Sequence, residues 1–282
     1  MSGIDPLGPV IIDGEKFPTS QAAISMKDIG LLRGYGCFEV LRSFGGHTFR
    51  TLDHIDRLEG SARMLGISLP SRDAINSWIV DCSTAGRDCL IRVIVTGGID
   101  TEEPGRHSRV VVFAEPLPAV VDEMKVLPLD APWHSDGMLS ELTGAKTLSY
   151  APNLAATFAA RREGYDDALL LGKSGHVLEG PTFGIAWIAN GVLETPASDL
   201  GILQSITQGA VLEIARREEI PISEGHFDLA KVLQANEVFA MSTARNVMPI
   251  TNVGETSFTS GPVTKRISDG FLRLVSEEIE AR

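Results

Sequence analysis

Apolar positions recur along this chain with two periods, and the alternation between them predicts its elements. Ile55, Leu58, Ala62 and Leu65 follow one another at steps of three and four, so a helix is expected from about Asp53. Ser71 is a good N-cap, and Ile75, Trp78, Ile79 and Cys82 form the buried stripe of a second helix behind it. Two β-rich runs follow, Cys89 to Thr96 (CLIRVIVT) and Arg109 to Ala114 (RVVVFA), separated by the polar stretch Gly97 to Ser108. A connection this short favours antiparallel neighbours, because a parallel pair needs a long crossover. Val40 to Phe44 and Thr48 to Thr51 flank Gly45-Gly46, a dipeptide that accepts the positive φ of a tight hairpin turn. Helices beside an antiparallel sheet make this half α+β.

Glu115-Pro-Leu-Pro-Ala119 is stiff and carries no helix signal. A small α+β domain over residues 1–118 and a larger domain over 119–282 are therefore expected. In the second half, Asn153 to Arg162 reads as an alanine-rich helix stopping near Gly164. Ala168 to Leu171, a GKSG turn and His176 to Glu179 read as one hairpin. Phe183 to Ala189, Asn190-Gly191 and Val192 to Thr195 read as another, with the strongest two-residue turn signal available. Helices are expected over Thr207 to Glu218, Leu229 to Ala235 and Val263 to Ile279, and there is no internal repeat or low-complexity segment.

Composition narrows the partners more than the fold. With 282 residues and 43% apolar side chains the chain can bury a sizeable core. Its 37 acidic against 25 basic side chains give a formal charge of -12, which argues against nucleic acid, since that partner needs clustered Lys and Arg. Cys37, Cys82 and Cys89 are odd in number and lack CxxC spacing, so neither a disulfide framework nor a metal site is expected, only thiols packed as small apolar groups. No apolar run approaches the ~20 residues of a membrane span. The start MSGIDPLGPVIIDGEKF lacks the regions of a secretory signal, so a soluble cytoplasmic protein without a membrane partner is expected.

The candidate chemistry is sparse. Phosphate loops of the GxGxxG and GxxxxGK[ST] types are absent, as are HExxH and GxSxG. Ser205-Ile206-Thr207-Gln208 has the form of a capping box opening an amphipathic helix, whose free N–H groups and dipole could hold a phosphate. Lys146 lies in LTGAKTLSY, a segment that itself holds no carboxylate; if desolvated there it becomes an amine nucleophile, while a snorkelling surface lysine is the open alternative. Glu179 ends His-Val-Leu-Glu before Gly-Pro-Thr-Phe, which fits either an acid pointing from a strand end or a solvated turn residue.

Together these segments resemble one family, the fold-type IV pyridoxal-phosphate aminotransferases, a group of branched-chain aminotransferases, D-amino-acid transaminases and aminodeoxychorismate lyases. DIGLLRGYGCFE (28–39) is similar to the family's DRGxxxGDGxFE segment, and DHIDRL (53–58) to its HxxRL helix. KTLSYAPN (146–153), LEG (178–180), LQSIT (203–207), MSTA (241–244) and GPVTKRI (261–267) follow in the family's order.

The resemblance implies a two-domain homodimer with a β-barrel-like larger domain, binding pyridoxal 5'-phosphate. Lys146 is implied to form the Schiff base with the cofactor and to shuttle the substrate proton, and Glu179 to bind the pyridine nitrogen. Arg57 is implied to grip the cofactor phosphate, with His54 on the same helix face in support. Ile206 and Thr207 are implied to donate to that phosphate, Thr243 to add a hydroxyl, Leu203 to pack on the ring, and Tyr150 to reach the ring hydroxyl.

Departures from the family pattern bear on substrate. Ser205 stands where many members have Gly, Gly184 where many have Asn, and Ile29 where Arg is usual. Leu90 to Gly98 lacks the Arg and His with which D-amino-acid transaminases hold a carboxylate, and Leu90 replaces a Tyr typical of branched-chain enzymes. Arg33, in a Gly-flanked loop that borders the active site in this family, often that of the partner subunit, is the first candidate for the substrate carboxylate. Arg245 is the second and Arg92 the third, each equally readable as a surface or salt-bridged arginine, and Ala244 and Val40 complete the candidate substrate-binding set. The expected reaction moves an amino group between an amino acid, leaning to the D series, and a 2-oxo acid such as 2-oxoglutarate. The alternatives are branched-chain L-amino-acid transamination, which GPVTKRI favours, and aminodeoxychorismate lysis.

Overall fold

A computed structural model describes residues 6–119, 121–138 and 140–281; the first five residues of the stretch read for a signal lie outside them. The chain divides into two compact units, Met1–Ala119 with Ala145–Tyr150, and Val120–Gly144 with Ala151–Arg282. The segment Ala145–Tyr150 thus clusters with the first unit although its position in the chain places it in the second half. Backbone pairing is the reason: Thr147 bridges Cys37, the Leu148 N–H donates to Gly36 O at 2.8 Å, and the Phe38 N–H donates to Lys146 O at 3.0 Å.

The first unit runs β1 (Val10–Ile12), β2 (Glu15–Phe17), α1 (Ile29–Arg33), β3 (Gly36–Phe44), β4 (His47–Thr48), α2 (Thr51–Met64), α3 (Arg72–Gly86), β5 (Cys89–Thr96) and β6 (Arg109–Pro116). Its sheet has the order β2-β1-β6-β5-β3-β4 with every pairing antiparallel. α2 packs on β3, and α3 on β5 and β6, through the stripes at Ile55, Leu58, Ile75 and Ile79 that the periodicity marks. Ser71 Oγ caps α3 by accepting from the Ala74 N–H at 3.3 Å. α2 opens at Thr51, two residues before the position its stripe indicates, behind Arg50 in a left-handed conformation. Cys37, Cys82 and Cys89 are buried and unpaired.

The segment carrying Lys146 docks where β3 begins, and only glycine fits there. A Cβ on Gly36 would collide with Val95 O and stand 2.6 Å from Leu148 Cδ1. Gly36→Ala should cost roughly 1–3 kcal/mol, the usual penalty for overpacking a filled site. A thermal melt checks this, and an unchanged midpoint would contradict the tight docking.

The second unit runs β7 (Met124–Asp130), α4 (Ala151–Arg162), β8 (Asp167–Leu171), β9 (Gly184–Ala189), β10 (Val192–Pro196), α5 (Ile206–Arg217), β11 (Ile222–Gly225), α6 (Leu229–Leu233), β12 (Glu237–Ser242), β13 (Asn246–Val253), β14 (Thr256–Ser257) and α7 (Pro262–Glu280). Its sheet follows the path β11-β10-β9-β12-β13-β7-β8, with β14 beside β13. The pairs β10/β11, β13/β7 and β7/β8 are parallel. Asn190 (φ 51°) and Gly191 (φ 79°) turn β9 into β10 with the two positive φ values their types allow. His176 to Glu179 is less regular than a strand: it returns along β8 through a bridge at Leu171–Val177 and through the Leu170 N–H on Glu179 O at 2.9 Å. Among the described residues no helix is long and apolar enough to cross a membrane.

Candidate active site

In the first unit, the strand period of β3 separates two chemistries. Cys37, Glu39 and Leu41 point into the core, while Phe38 and Val40 are half-buried on the other face. Lys146 lies over the Phe38 ring, its Nζ 4.4 Å from the centroid, and donates to the Tyr150 hydroxyl at 3.4 Å. Tyr150 meets Phe38 edge to face, with centroids 5.2 Å apart. The Lys146 backbone is tied to α2 as well, its N–H donating to Ser61 Oγ at 3.0 Å. The two expected residues, Lys146 and Tyr150, therefore adjoin each other on a shelf whose third member, Phe38, was not singled out from sequence.

Beneath that shelf, Glu39 is buried and receives Arg57 Nε at 2.7 Å, Arg57 Nη2 at 2.8 Å and His54 Nδ1 at 2.8 Å. Burial alone would raise this carboxyl, but the charge of Arg57 and the hydrogen bonds from Arg57 and His54 prevail and bring it down to about 2. Burial holds His54 below its usual range in spite of Glu39, so the ring is neutral and, against an ionised acceptor, carries its proton on Nδ1. Three helical residues apart, His54 and Arg57 share a helix face as expected; what they share there is one carboxylate. Burial, and secondarily Glu39, pushes the Cys37 thiol up to about 12, which removes it as a nucleophile.

The candidate substrate arginines differ in their surroundings. Arg33 is exposed at the end of α1, next to Gly34, whose carbonyl accepts from Ser149 Oγ at 3.1 Å, and among the described residues it pairs with no carboxylate. Arg92 faces Val40 across β3 and β5 but is bound to Glu115 at 2.7 Å. Arg245, in the second unit, is bound to Thr182 Oγ1 at 3.1 Å and to the buried Asp167 at 3.4 Å.

In the second unit Glu179 is mostly buried, and its Oε1 accepts from the Leu203 N–H at 3.4 Å and lies 3.3 Å from His134 Nε2. Two residues on, Ser205 Oγ caps α5 by accepting from the Gln208 N–H at 3.2 Å, which leaves the N–H groups of Ile206 and Thr207 outside the helix ladder. Thr207 is buried, yet its hydroxyl makes no hydrogen bond to another described residue. Gly184, at the start of β9, leaves room beside this helix start: a Cβ there would come no closer than 3.4 Å to Gln208, 3.7 Å to Met241 and 3.8 Å to Ser205. Thr243 and Ala244 are half-buried in the turn joining β12 to β13. A helix start with free donors, unbonded hydroxyls and a carboxylate with one oxygen already satisfied form a donor set that fits a phosphorylated, nitrogen-containing ring.

Residues 36–253 match the family described as Amino-transferase class IV. A putative branched-chain-amino-acid aminotransferase of Methanocaldococcus jannaschii is 29% identical over 281 residues, covering 93% of this chain and 94% of that one. A bifunctional aminodeoxychorismate lyase / D-amino acid transaminase of Mycobacterium tuberculosis is 31% identical over 230 residues, covering 73% and 78%. A fold IV-transaminase of Curtobacterium pusillum superposes with a TM-score of 0.86 at 27% identity, covering 94% of this chain and 92% of that one. By a match that spans most of its length, the chain belongs to the class IV aminotransferases.

Proposed function

We propose that this protein transfers an amino group between an amino acid, with D-amino acids as preferred donors, and a 2-oxo acid such as 2-oxoglutarate, using pyridoxal 5'-phosphate. The observation that carries the reading is Lys146, an amine set on the Phe38 ring and against the Tyr150 hydroxyl. The bound cofactor supplies an aldehyde carbon to take up the amino group and a ring to draw electron density from the substrate Cα. Lys146 is the amine that would hold that carbon, and its Nζ would carry the substrate proton, with Tyr150 keeping the amine in place. Arg57, its plane set by Glu39, offers charge to the phosphate, and Ile206, Thr207 and Thr243 offer N–H and hydroxyl donors. Glu179 would hold the ring nitrogen, and Leu203 would pack on the ring.

Arg33 is the substrate clamp of this reading, because the other two arginines are occupied by carboxylates of their own unit. An α-carboxylate on Arg33 is a charge-assisted bond, so Arg33→Ala should raise the donor KM by about 10- to 100-fold with kcat little changed. An unchanged donor KM would remove Arg33 from the site. The M. jannaschii relative's name favours a branched-chain L-donor instead, with backbone donors near Thr243 and Ala244, and the M. tuberculosis relative's name keeps lyase chemistry as a further reading. Comparing D-alanine, D-glutamate and L-leucine as donors separates the first two; pyruvate release from aminodeoxychorismate without an added amino acceptor identifies the third. Exposed Leu31 and Leu32, at 61% and 62%, support the expected homodimer, and three buried unpaired thiols accord with a reducing cytoplasm.

A further inference from the structure

We infer that His134 is the positioning residue of the Glu179 carboxylate, an inference that rests on the reading of Glu179 as the partner of the cofactor ring nitrogen. His134 lies in the turn that follows β7, fixed there by its own N–H on Ala131 O at 2.9 Å and by the Ala131 N–H on Leu171 O at 2.8 Å. Since β7 runs parallel to β8, and the chain returns along β8 to Glu179, the two side chains meet although 45 residues separate them. The side chains are only 11% and 16% exposed, with Nε2 3.3 Å from Oε1. His134 Nδ1 is fully buried and has no hydrogen-bond partner among the described residues. The ring nitrogen that faces an acceptor is therefore Nε2, whose N–H is aimed at the carboxylate.

Held in this way, Glu179 has one oxygen engaged twice, by His134 and by the Leu203 N–H at 3.4 Å. Among the described residues nothing hydrogen-bonds the other oxygen, which is the one left for a ring N–H. His134 restricts a side chain with three rotatable torsions to the rotamer that serves the ring, and by occupying Oε1 it leaves the other oxygen as the one presented to the ring nitrogen. Without His134 a single long bond from the Leu203 backbone remains.

The test uses the wild-type protein, His134→Leu, which fills the volume without a donor, and His134→Gln, whose amide nitrogen reaches the place of Nε2. Each is titrated with pyridoxal phosphate, and the 15N shift of the ring nitrogen is read on 15N-labelled cofactor. The expected result is a cofactor Kd raised about 5- to 10-fold in His134→Leu, the value of one hydrogen bond. Its 15N signal should move towards the unprotonated position, and His134→Gln should restore both to near wild type. If His134→Leu melts with the wild type and shows the same Kd and shift, or if His134→Gln is as impaired as His134→Leu, the positioning role is overturned. Should His134→Leu fail to fold, His134→Ala carries the same comparison. A wild type that does not bind the cofactor overturns the reading of Glu179 itself, a result distinct from unaffected variants of a binding wild type.

Discussion

Lys146→Ala protein should fold as the wild type does and lose its chemistry. Transamination should drop by roughly 10³-fold or more, since both the covalent hold on the cofactor and the group that moves the Cα proton go with the amine. Borohydride treatment followed by peptide mapping should fix cofactor on the wild type at Lys146 and nowhere on the variant. The fold survives because the segment docks by its backbone, through the Lys146 N–H on Ser61, the Phe38 N–H on Lys146 O and the Leu148 N–H on Gly36 O. Truncating the side chain touches none of these. Reduced cofactor found on another lysine of Lys146→Ala would sink the assignment, and comparable melting curves of the two proteins keep that outcome from being blamed on misfolding.

Lys146 could be found in the sequence because its segment carries a motif, and so could Glu179 and the α5 start; their partners could not. Phe38 and Glu39 lie inside a matching block, GCFE, but no local pattern shows that one will underlie the lysine and the other will bind Arg57, 18 residues away. His134 sits in no motif at all, and only the parallel pairing of β7 with β8 brings it to Glu179. The commitments of Arg92 and Arg245 are likewise properties of the fold, made by residues a strand or a hairpin away.

The fold followed the same division. Elements with clean periodicity or an unambiguous turn, such as α3, β5 and the Asn190-Gly191 hairpin, lie where the pattern puts them, whereas α2 takes Thr51 from the expected strand Thr48 to Thr51. β7 was missed because Pro128 lies within it, and proline argues against a strand flanked on both sides. β12 is a six-residue run buried throughout, and such a run cannot be told from a buried helix by alternation. Parallel neighbours in the second sheet depend on crossovers that no short-range signal encodes.

Glu39→Gln should be among the most destabilising single changes in the first unit, and its effect should depend on pH. The substitution keeps the size of the side chain but removes the charge to which Arg57, 14% exposed, donates twice, a loss of about 3–5 kcal/mol for a buried pair. A melting midpoint lowered by about 10 °C at pH 7 is expected for a chain of this size. In the wild type the Glu39 carboxyl falls from 4.5 to about 2 on folding, so the unfolded chain takes up the proton first as the medium is acidified. The stabilisation is therefore complete above about pH 4.5 and is lost as pH falls towards 2. His54, lowered by burial from 6.5, adds in the same direction, since below that pH the unfolded chain binds a proton that the folded one refuses. Wild type and variant should differ most at neutral pH, the gap narrowing below about pH 4.5 and closing only as the pH approaches 2, as melts across this range will measure. A midpoint for Glu39→Gln that matches the wild type at pH 7 would mean that Arg57 is not held by this carboxylate. The same variant should bind pyridoxal phosphate more weakly, because an arginine that can swing presents its charge to a phosphate at a higher entropic cost.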